Sequence, residues 1–358
     1  MIYLEGIGEF EKAPQIVIDI VEGNIPALDK YYADKRKSVD KKFQLSEWTS
    51  HSPLELALMN NCFASVKWLV EHGANLNTHH SFLVAVRYCQ ENIIRYLVEH
   101  GAKVVDEAYA NYDPYEQALF GEKIANLPLI HELGYQVEKY GVPAFRQAVM
   151  DWNYEAVNFF ISHGVDINDY ETEFSYPKTT TALCLAARFT DLKMCKHLVK
   201  HGADVTIPEK GGMRPYHIAL ERGYLEMADY FKSLEPTERH DLESKLSSLK
   251  LYKLPDDLIE FLQGEQLRLH CGTGRDNDVA FIDFFSLADT LPMKIKRGNY
   301  LRISSCVHGY DTVYVLWSPK LKQIVLYDYE HEELKTIAPF DDFIKHMGKY
   351  MKDYISGN

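Results

Sequence analysis

The chain has 358 residues, 46% of them hydrophobic, which is ample for a packed core and too long for one ordinary domain. Its formal net charge of -13 repels nucleic acid and anionic membranes at long range and favours basic partners. No apolar run approaches the ~20 residues of a membrane-spanning helix, the opening MIYLEGIGEFEKAP is no secretory signal, and six scattered cysteines without a Cys-x-x-Cys pair suit a reduced, cytoplasmic protein with no zinc site.

The first element in the chain is Ile16 to Phe43, where Glu22-Gly23-Asn24-Ile25-Pro26-Ala27-Leu28 reads as the start of a second helix. A phrase then recurs. It is VKWLVEHGANLN from Val66, IRYLVEHGAKV from Ile94, VNFFISHGVDIN from Val157 and CKHLVKHGADV from Cys195. Val66, Leu69 and Val70 share one helical face. Gly73 follows them, where the chain turns left-handed at low cost only with glycine. The corresponding glycines are 73, 101, 134, 164 and 202, at steps of 28, 33, 30 and 38 residues. Before the phrases stand Ser52-Pro53-Leu54-Glu55-Leu56-Ala57, Thr181-Ala182-Leu183-Cys184-Leu185-Ala186 and Arg214-Pro215-Tyr216-His217-Ile218-Ala219. Ser or Thr caps a first helix there, and Pro fits its first turn because no amide hydrogen is needed.

This alternation at a period near 33 resembles the ankyrin repeat family over residues 10–236, as an all-α solenoid of about seven units. The middle is irregular: Tyr112 to Ala118 keeps Pro and Ala in place, but Pro128 falls in a second helix. The resemblance implies that stacked pairs bury one another and leave fingers and first helices to bind protein. Tyr109, Tyr112, Tyr170 and Tyr176 lie in or near fingers, and the insertion Tyr170 to Thr181, with Phe174, enlarges one of them. These aromatics are the candidate partner anchors. His72, His100, His163 and His201 each precede a glycine. They sit one repeat apart, on the order of 10 Å if the units stack side by side, so one ion cannot bridge them. A capping role at the helix C-terminus is expected instead.

After Pro236 the period stops. Residues 237–250 read as a connecting helix striped by Leu242, Leu246 and Leu249. Residues 251–358 read as an α+β domain with a largely antiparallel sheet. Leu254 to Leu262 is a helix with Leu258, Phe261 and Leu262 inward. Strands are expected at 300–304, 313–317 and 323–329, and a closing helix from Phe340. Asp328 and Glu330 are expected on one strand face, with His331 past the strand end. Leu254-Pro255-Asp256-Asp257-Leu258-Ile259-Glu260-Phe261-Leu262, then Val325-Leu326-Tyr327-Asp328-Tyr329-Glu330-His331-Glu332, then Ala338-Pro339-Phe340-Asp341-Asp342-Phe343-Ile344 resemble the SUKH (Smi/Knr-like) superfamily.

That resemblance implies interaction. Many such bacterial proteins, and some ankyrin proteins, look like immunity proteins that occlude a polymorphic toxin. From Ile324 to Asp342 there are six acids against one base, and Asp328, Glu330, Glu332 and Glu333 are candidates for meeting a basic, possibly nuclease, toxin domain. The alternative is a cytosolic scaffold or adaptor without a toxin. No catalytic, cofactor-binding or metal site emerges. Gly272-Thr273-Gly274 is not followed by Gly-Lys-Ser/Thr, and no Gly-x-Ser-x-Gly elbow exists, so the reading is a non-enzymatic, protein-binding chain.

Overall fold

The computed structural model describes residues 2–4, 8–10, 13–78, 80–105, 112–170, 180–209, 211–272 and 279–356. Two compact units divide between Thr172 and Glu173.

The first unit opens with a small antiparallel ribbon, β1 (Ile2–Leu4) against β2 (Gly8–Phe10). Helix pairs follow: α1 (Gln15–Glu22) with α2 (Ile25–Tyr32), then, after the hairpin β3 (Phe43–Gln44) and β4 (Ser50–His51), α3 (Pro53–Met59) with α4 (Phe63–Glu71). Next come α5 (Ser81–Tyr88) with α6 (Glu91–Glu99), and α7 (Pro114–Phe120) with α8 (Leu127–Glu132). A short α9 (Val137–Tyr140) leads to α10 (Val142–Met150) with α11 (Tyr154–Ser162). The first helices α1, α3, α5, α7 and α10 pack in that order, each on the next.

The local chemistry explains the boundaries. Ser52 and Glu55 form a reciprocal capping box, with the Glu55 N–H donating to Ser52 Oγ at 3.2 Å and the Ser52 N–H to Glu55 Oε2 at 2.7 Å. Pro128 falls in the first turn of α8, where its missing N–H is harmless, and the helix is cut to six residues. All five phrase glycines lie at φ between 80° and 106°. Each histidine before a glycine caps its helix: Nδ1 of His72, His100 and His163 donates to the carbonyl four residues back at 2.7, 2.7 and 2.8 Å. The imidazoles also pack on the rings four residues back, His72 stacked on Trp68 at 3.7 Å between centroids, His100 and His163 tilted against Tyr96 and Phe159 at 4.0 and 4.3 Å.

Between repeats, side chains reach across to carbonyls at helix ends, where intrahelical partners run out. Ser65 Oγ donates to Ile20 O at 2.5 Å, and Asn126 Nδ2 donates to Val86 O and Cys89 O at 2.9 and 3.1 Å. Gly121 lets two repeats touch: a Cβ there would stand 1.9 Å from Arg87 O.

The second unit begins with two further pairs, α12 (Ala182–Phe189) with α13 (Leu192–Lys200), and α14 (Pro215–Glu221) with α15 (Leu225–Leu234). Thr181 caps α12 and His201 caps α13, its Nδ1 donating to His197 O at 2.8 Å. After a 3-10 turn (Thr237–Arg239) come α16 (Leu242–Leu249) and α17 (Asp256–Gln263). Two antiparallel sheets follow. One has three strands, β5 (Arg268–His270), β6 (Phe281–Phe284) and β9 (Ser304–Val307). The other has five in the order β12 (Glu333–Thr336), β11 (Gln323–Asp328), β10 (Val313–Ser318), β8 (Gly298–Arg302) and β7 (Leu291–Ile295). The chain closes with α18 (Phe340–Ile355), and Gly348 in it admits the Cys271 carbonyl where a Cβ would stand 1.9 Å away.

Val313, Val315 and Trp317 face a core shared with Leu258, Phe343 and Met347, while Tyr314 and Leu316 face a second cluster with Val325 and Tyr327. Every residue of β10 is therefore buried, and Val313 to Trp317 is one continuous run of apolar and aromatic residues instead of alternating.

Several expectations change. The strand expected at 300–304 is two strands broken at Ile303, because Ser304 Oγ, not a backbone carbonyl, accepts from the Val315 N–H at 2.8 Å. Residues 237–250 are no mere connector: Leu249 is buried in the core of the sheet domain with Leu246 against it, whereas Leu242 is exposed. β5, β6, β7 and β12 were not foreseen. The compact units divide at 172/173, so the last two repeat pairs share one unit with the sheets. The physical reason is that α14 packs against β9, the His217 ring meets Phe285 at 5.7 Å, and Tyr314 lies so close to Gly211 that a Cβ there would meet its hydroxyl at 3.0 Å.

Candidate functional site

In the first unit the fingers carry the features suited to holding another protein. The tip of the β3–β4 hairpin is pinned by backbone and side chain: Leu45 N–H donates to Thr49 O at 2.9 Å, and Ser46 Oγ accepts from Trp48 N–H and Thr49 N–H at 3.3 and 3.1 Å. Trp48 stands on this tip 88% exposed. An indole held in water by a braced turn is a large apolar surface with little ordering entropy left to lose on binding. Sequence reasoning passed it over. Its only signal was an aromatic inside the polar turn Ser46-Glu47-Trp48-Thr49.

A cleft of about 260 Å³ opens further along, with Leu76, His80, Phe82, Tyr112, Tyr135 and Tyr140 in its walls. His80 takes a left-handed backbone (φ 54°), and its ring meets Tyr112 edge-on at 5.1 Å. Tyr135 and Tyr140 stack at 4.3 Å, and Tyr115 donates its hydroxyl hydrogen to Tyr135 O. Asp113 caps α7 by accepting from Tyr115 N–H and Glu116 N–H at 2.6 and 3.2 Å. Burial, reinforced by the nearby Glu116 carboxylate, pushes the Asp113 carboxyl up to about 7.

Of the aromatics singled out from the sequence, Tyr112 lines this cleft and is 55% exposed, a geometry open to a partner. Tyr170 is half-buried next to Asp169, which pairs with the buried Arg146 at 2.8 Å. Tyr109, Phe174 and Tyr176 lie outside the described residues.

The acidic candidates come together at one hairpin in the second unit, with a division of labour. Asp328 ends β11 and organises the turn. Its Oδ1 accepts from Glu330 N–H and His331 N–H at 3.0 and 3.3 Å, and its Oδ2 from His331 Nδ1 at 2.8 Å. Burial opposes its ionisation, but these bonds outweigh it and hold the carboxyl below the usual range. The same bond and charge raise His331. Glu330 lies in the turn and not on the strand, so it does not share a strand face with Asp328. Glu330, Glu332 and Glu333 project into solvent, Glu332 from a left-handed backbone (φ 54°). Asp328 is thus committed to the turn, and the three glutamates form the negative tip. Among the described residues no cluster of three or more His, Cys, Asp or Glu side chains is placed to hold a metal ion, and no helix is long and apolar enough to cross a membrane.

The ankyrin repeats family matches residues 145–239 in three copies, the span of the pairs α10–α11, α12–α13 and α14–α15. These residues are ankyrin repeats. Solved ankyrin structures are similar in outline. The human ASB11 ankyrin repeat domain is 18% identical, covering 60% of this chain and 98% of its own, with a TM-score of 0.48. The ankyrin repeat domain of Bcl-3, a member of the IkappaB protein family, is 22% identical over 61% of this chain and 99% of its own, with a TM-score of 0.47. No curated protein matches the chain. Ankyrin repeats mark a protein–protein interaction module, here followed by a region of antiparallel sheets.

Proposed function

We propose that this chain is a bacterial, cytoplasmic immunity protein without enzymatic activity, which binds a basic toxin domain and occludes its working surface. The observation that carries the binding role is Trp48, exposed on a braced finger beside a run of repeats built to recruit protein. The tyrosine-walled cleft adds a second place to grip. The negative hairpin tip of Glu330, Glu332 and Glu333, with the net charge of -13, supports a basic partner, since it steers such a partner into encounter. The helix–strands–helix order after Pro236 and its Leu-Pro and Tyr-Asp motifs support a SUKH-type second module.

The test is co-expression with the polypeptide encoded immediately upstream, scored by survival and co-purification. Rescue by the wild-type chain, with a salt-sensitive complex, is the expected result. Trp48→Ala should leave folding intact and weaken the complex by about 30-fold, the cost of an aromatic anchor. Absence of both toxicity and a complex would sink the immunity reading. A complex without toxicity would make the chain an adaptor.

A further inference from the structure

A second cavity, of about 240 Å³, lies within the second unit where the last repeat, the 3-10 turn, α16 and the sheet domain converge. Its composition differs from that of the tyrosine cleft. Lys245 reaches in from α16, Arg239 from the turn and His217 from α14, with the hydroxyl of Ser244 alongside and Glu238 at the exposed edge. Two of these groups are left in an unusual state. Lys245 Nζ donates to Thr290 O at 2.5 Å; the Asp289 charge favours the ammonium, but the Asp289 carboxylate accepts from the Ser286 hydroxyl at 2.6 Å and makes no direct ion pair with it. His217 is 2% exposed, and its Nδ1 has no hydrogen-bond partner. Arg214, the remaining cation in the wall, is already spent on a bidentate pair with Glu235 at 2.7 and 3.0 Å.

A half-buried ammonium that makes no direct ion pair and a buried imidazole nitrogen without a partner are each costly alone. They share one small cavity with a second, solvent-side guanidinium and a hydroxyl. We infer that this cavity binds a small tetrahedral oxyanion, phosphate or the head of a phosphomonoester, held between Lys245, Arg239 and His217. Such an ion accepts hydrogen bonds on several sides at once, which donors converging from three elements require. The ring of His217 is kept neutral by burial and by the cations around it, so Nδ1 can serve as a neutral donor. Burial also pulls Lys245 down to about 8, where it remains protonated at neutral pH. Because the ligand would touch α14, the turn and α16 together, it clamps the last repeat to the sheet domain. This site is independent of the partner-binding role.

The experiment titrates the full chain with inorganic phosphate and, separately, with glycerol phosphate, using chloride at equal ionic strength as the control. Calorimetry reads affinity, and hydrogen exchange reads the peptides around 214–217 and 237–248. The expected result is saturable binding with slowed exchange in those peptides. Arg239→Ala, on the exposed rim, should weaken binding at least about tenfold, the worth of one charge-assisted hydrogen bond. Lys245→Met should abolish it. Binding of the ester but not the free ion assigns an organic phosphate as the ligand, and the reverse assigns the inorganic ion. No saturable binding of either, or equal binding by wild type and Arg239→Ala, overturns the proposal even if Lys245→Met fails to fold.

Discussion

Replacing His72, His100 and His163 together by alanine removes three copies of one device from the first unit. Each imidazole contributes a hydrogen bond to the carbonyl four residues back and a ring contact with the residue at that position. That carbonyl keeps a backbone partner, since the N–H of each histidine also donates to it at 3.0 to 3.2 Å. It is therefore not orphaned by the change, and the hydrogen bond is worth the lower end of its range, about 0.5 kcal/mol. The ring contact adds about 0.5 kcal/mol. Each site then contributes about 1 kcal/mol, and the three share no partner, so the triple variant should lose about 3 kcal/mol by additivity. That is a large share of the roughly 5–15 kcal/mol that holds a domain folded. Urea unfolding reads the total, and hydrogen exchange reads where it falls. Peptides of residues 1–172 should exchange faster and those of the second unit should not, whereas His201→Ala should loosen only the second unit. A triple variant within 1 kcal/mol of wild type, or one that loosens both units alike, would refute the capping account.

Other outcomes follow from the same reasoning. Burial disfavours the charge on Glu55, but the nearby His51 imidazole at 3.8 Å and its bonds to Ser52 win and bring it down to about 2, so its stabilisation is complete above the unfolded value of 4.5 and is lost as pH falls through about 2. Ser52→Ala should cost about 1 kcal/mol and flatten that acid limb of the stability curve, measured by unfolding between neutral and acid pH. Asp113 is shifted the other way: its folded carboxyl keeps its proton to about 7 against 3.8 unfolded, so stability falls as pH rises between those values. Asp113→Asn should match wild type in acid and exceed it above pH 7, and a variant less stable at both ends would contradict this. Gly121→Ala should cost roughly 3 kcal/mol or more, because the obstructing atom is the Arg87 carbonyl and not a side chain that can swing away. Thermal unfolding equal to wild type would show that the two repeats do not touch there.

The sequence made the repeats legible for a local reason. Gly73, Gly164, Ser52 and Thr181 act through hydrogen bonds and φ angles within a few residues of themselves, so their spacing is enough to read. The sheet domain was less legible because its determinants are distant. At the break after β8 the Ser304 hydroxyl takes the Val315 N–H, and Arg302 folds back to donate to Ser304 O and Ser305 O at 2.8 Å each, an arrangement that no periodicity announces. β10 runs from Val313 to Trp317 without a charged or strongly polar residue because both of its faces are covered, so its run marks a strand without saying how many strands flank it. β5 and β12 are too short and too exposed to carry a pattern. At the candidate site Tyr112 was readable as an aromatic in a finger. Trp48 was not, because an isolated ring in a polar turn has no period, and its importance lies in the brace beneath it. Asp328 and Glu330 look alike in sequence, and only the turn geometry separates the residue that builds the tip from those that present it.

A stack of repeats ordinarily ends in a unit with a polar outer face, and such a stack lengthens by copying an internal unit. Here α14 ends against β9 and Phe285, with Tyr314 filling the space that Gly211 leaves open. A different fold serves as the lid. Duplicating the last pair would therefore set a repeat face against a sheet shaped for another surface, and deleting it would leave the sheet's aromatic side uncovered. Gain or loss of repeats is confined to positions upstream of α14, so this end of the array is fixed in register while the number of fingers ahead of it is free to change.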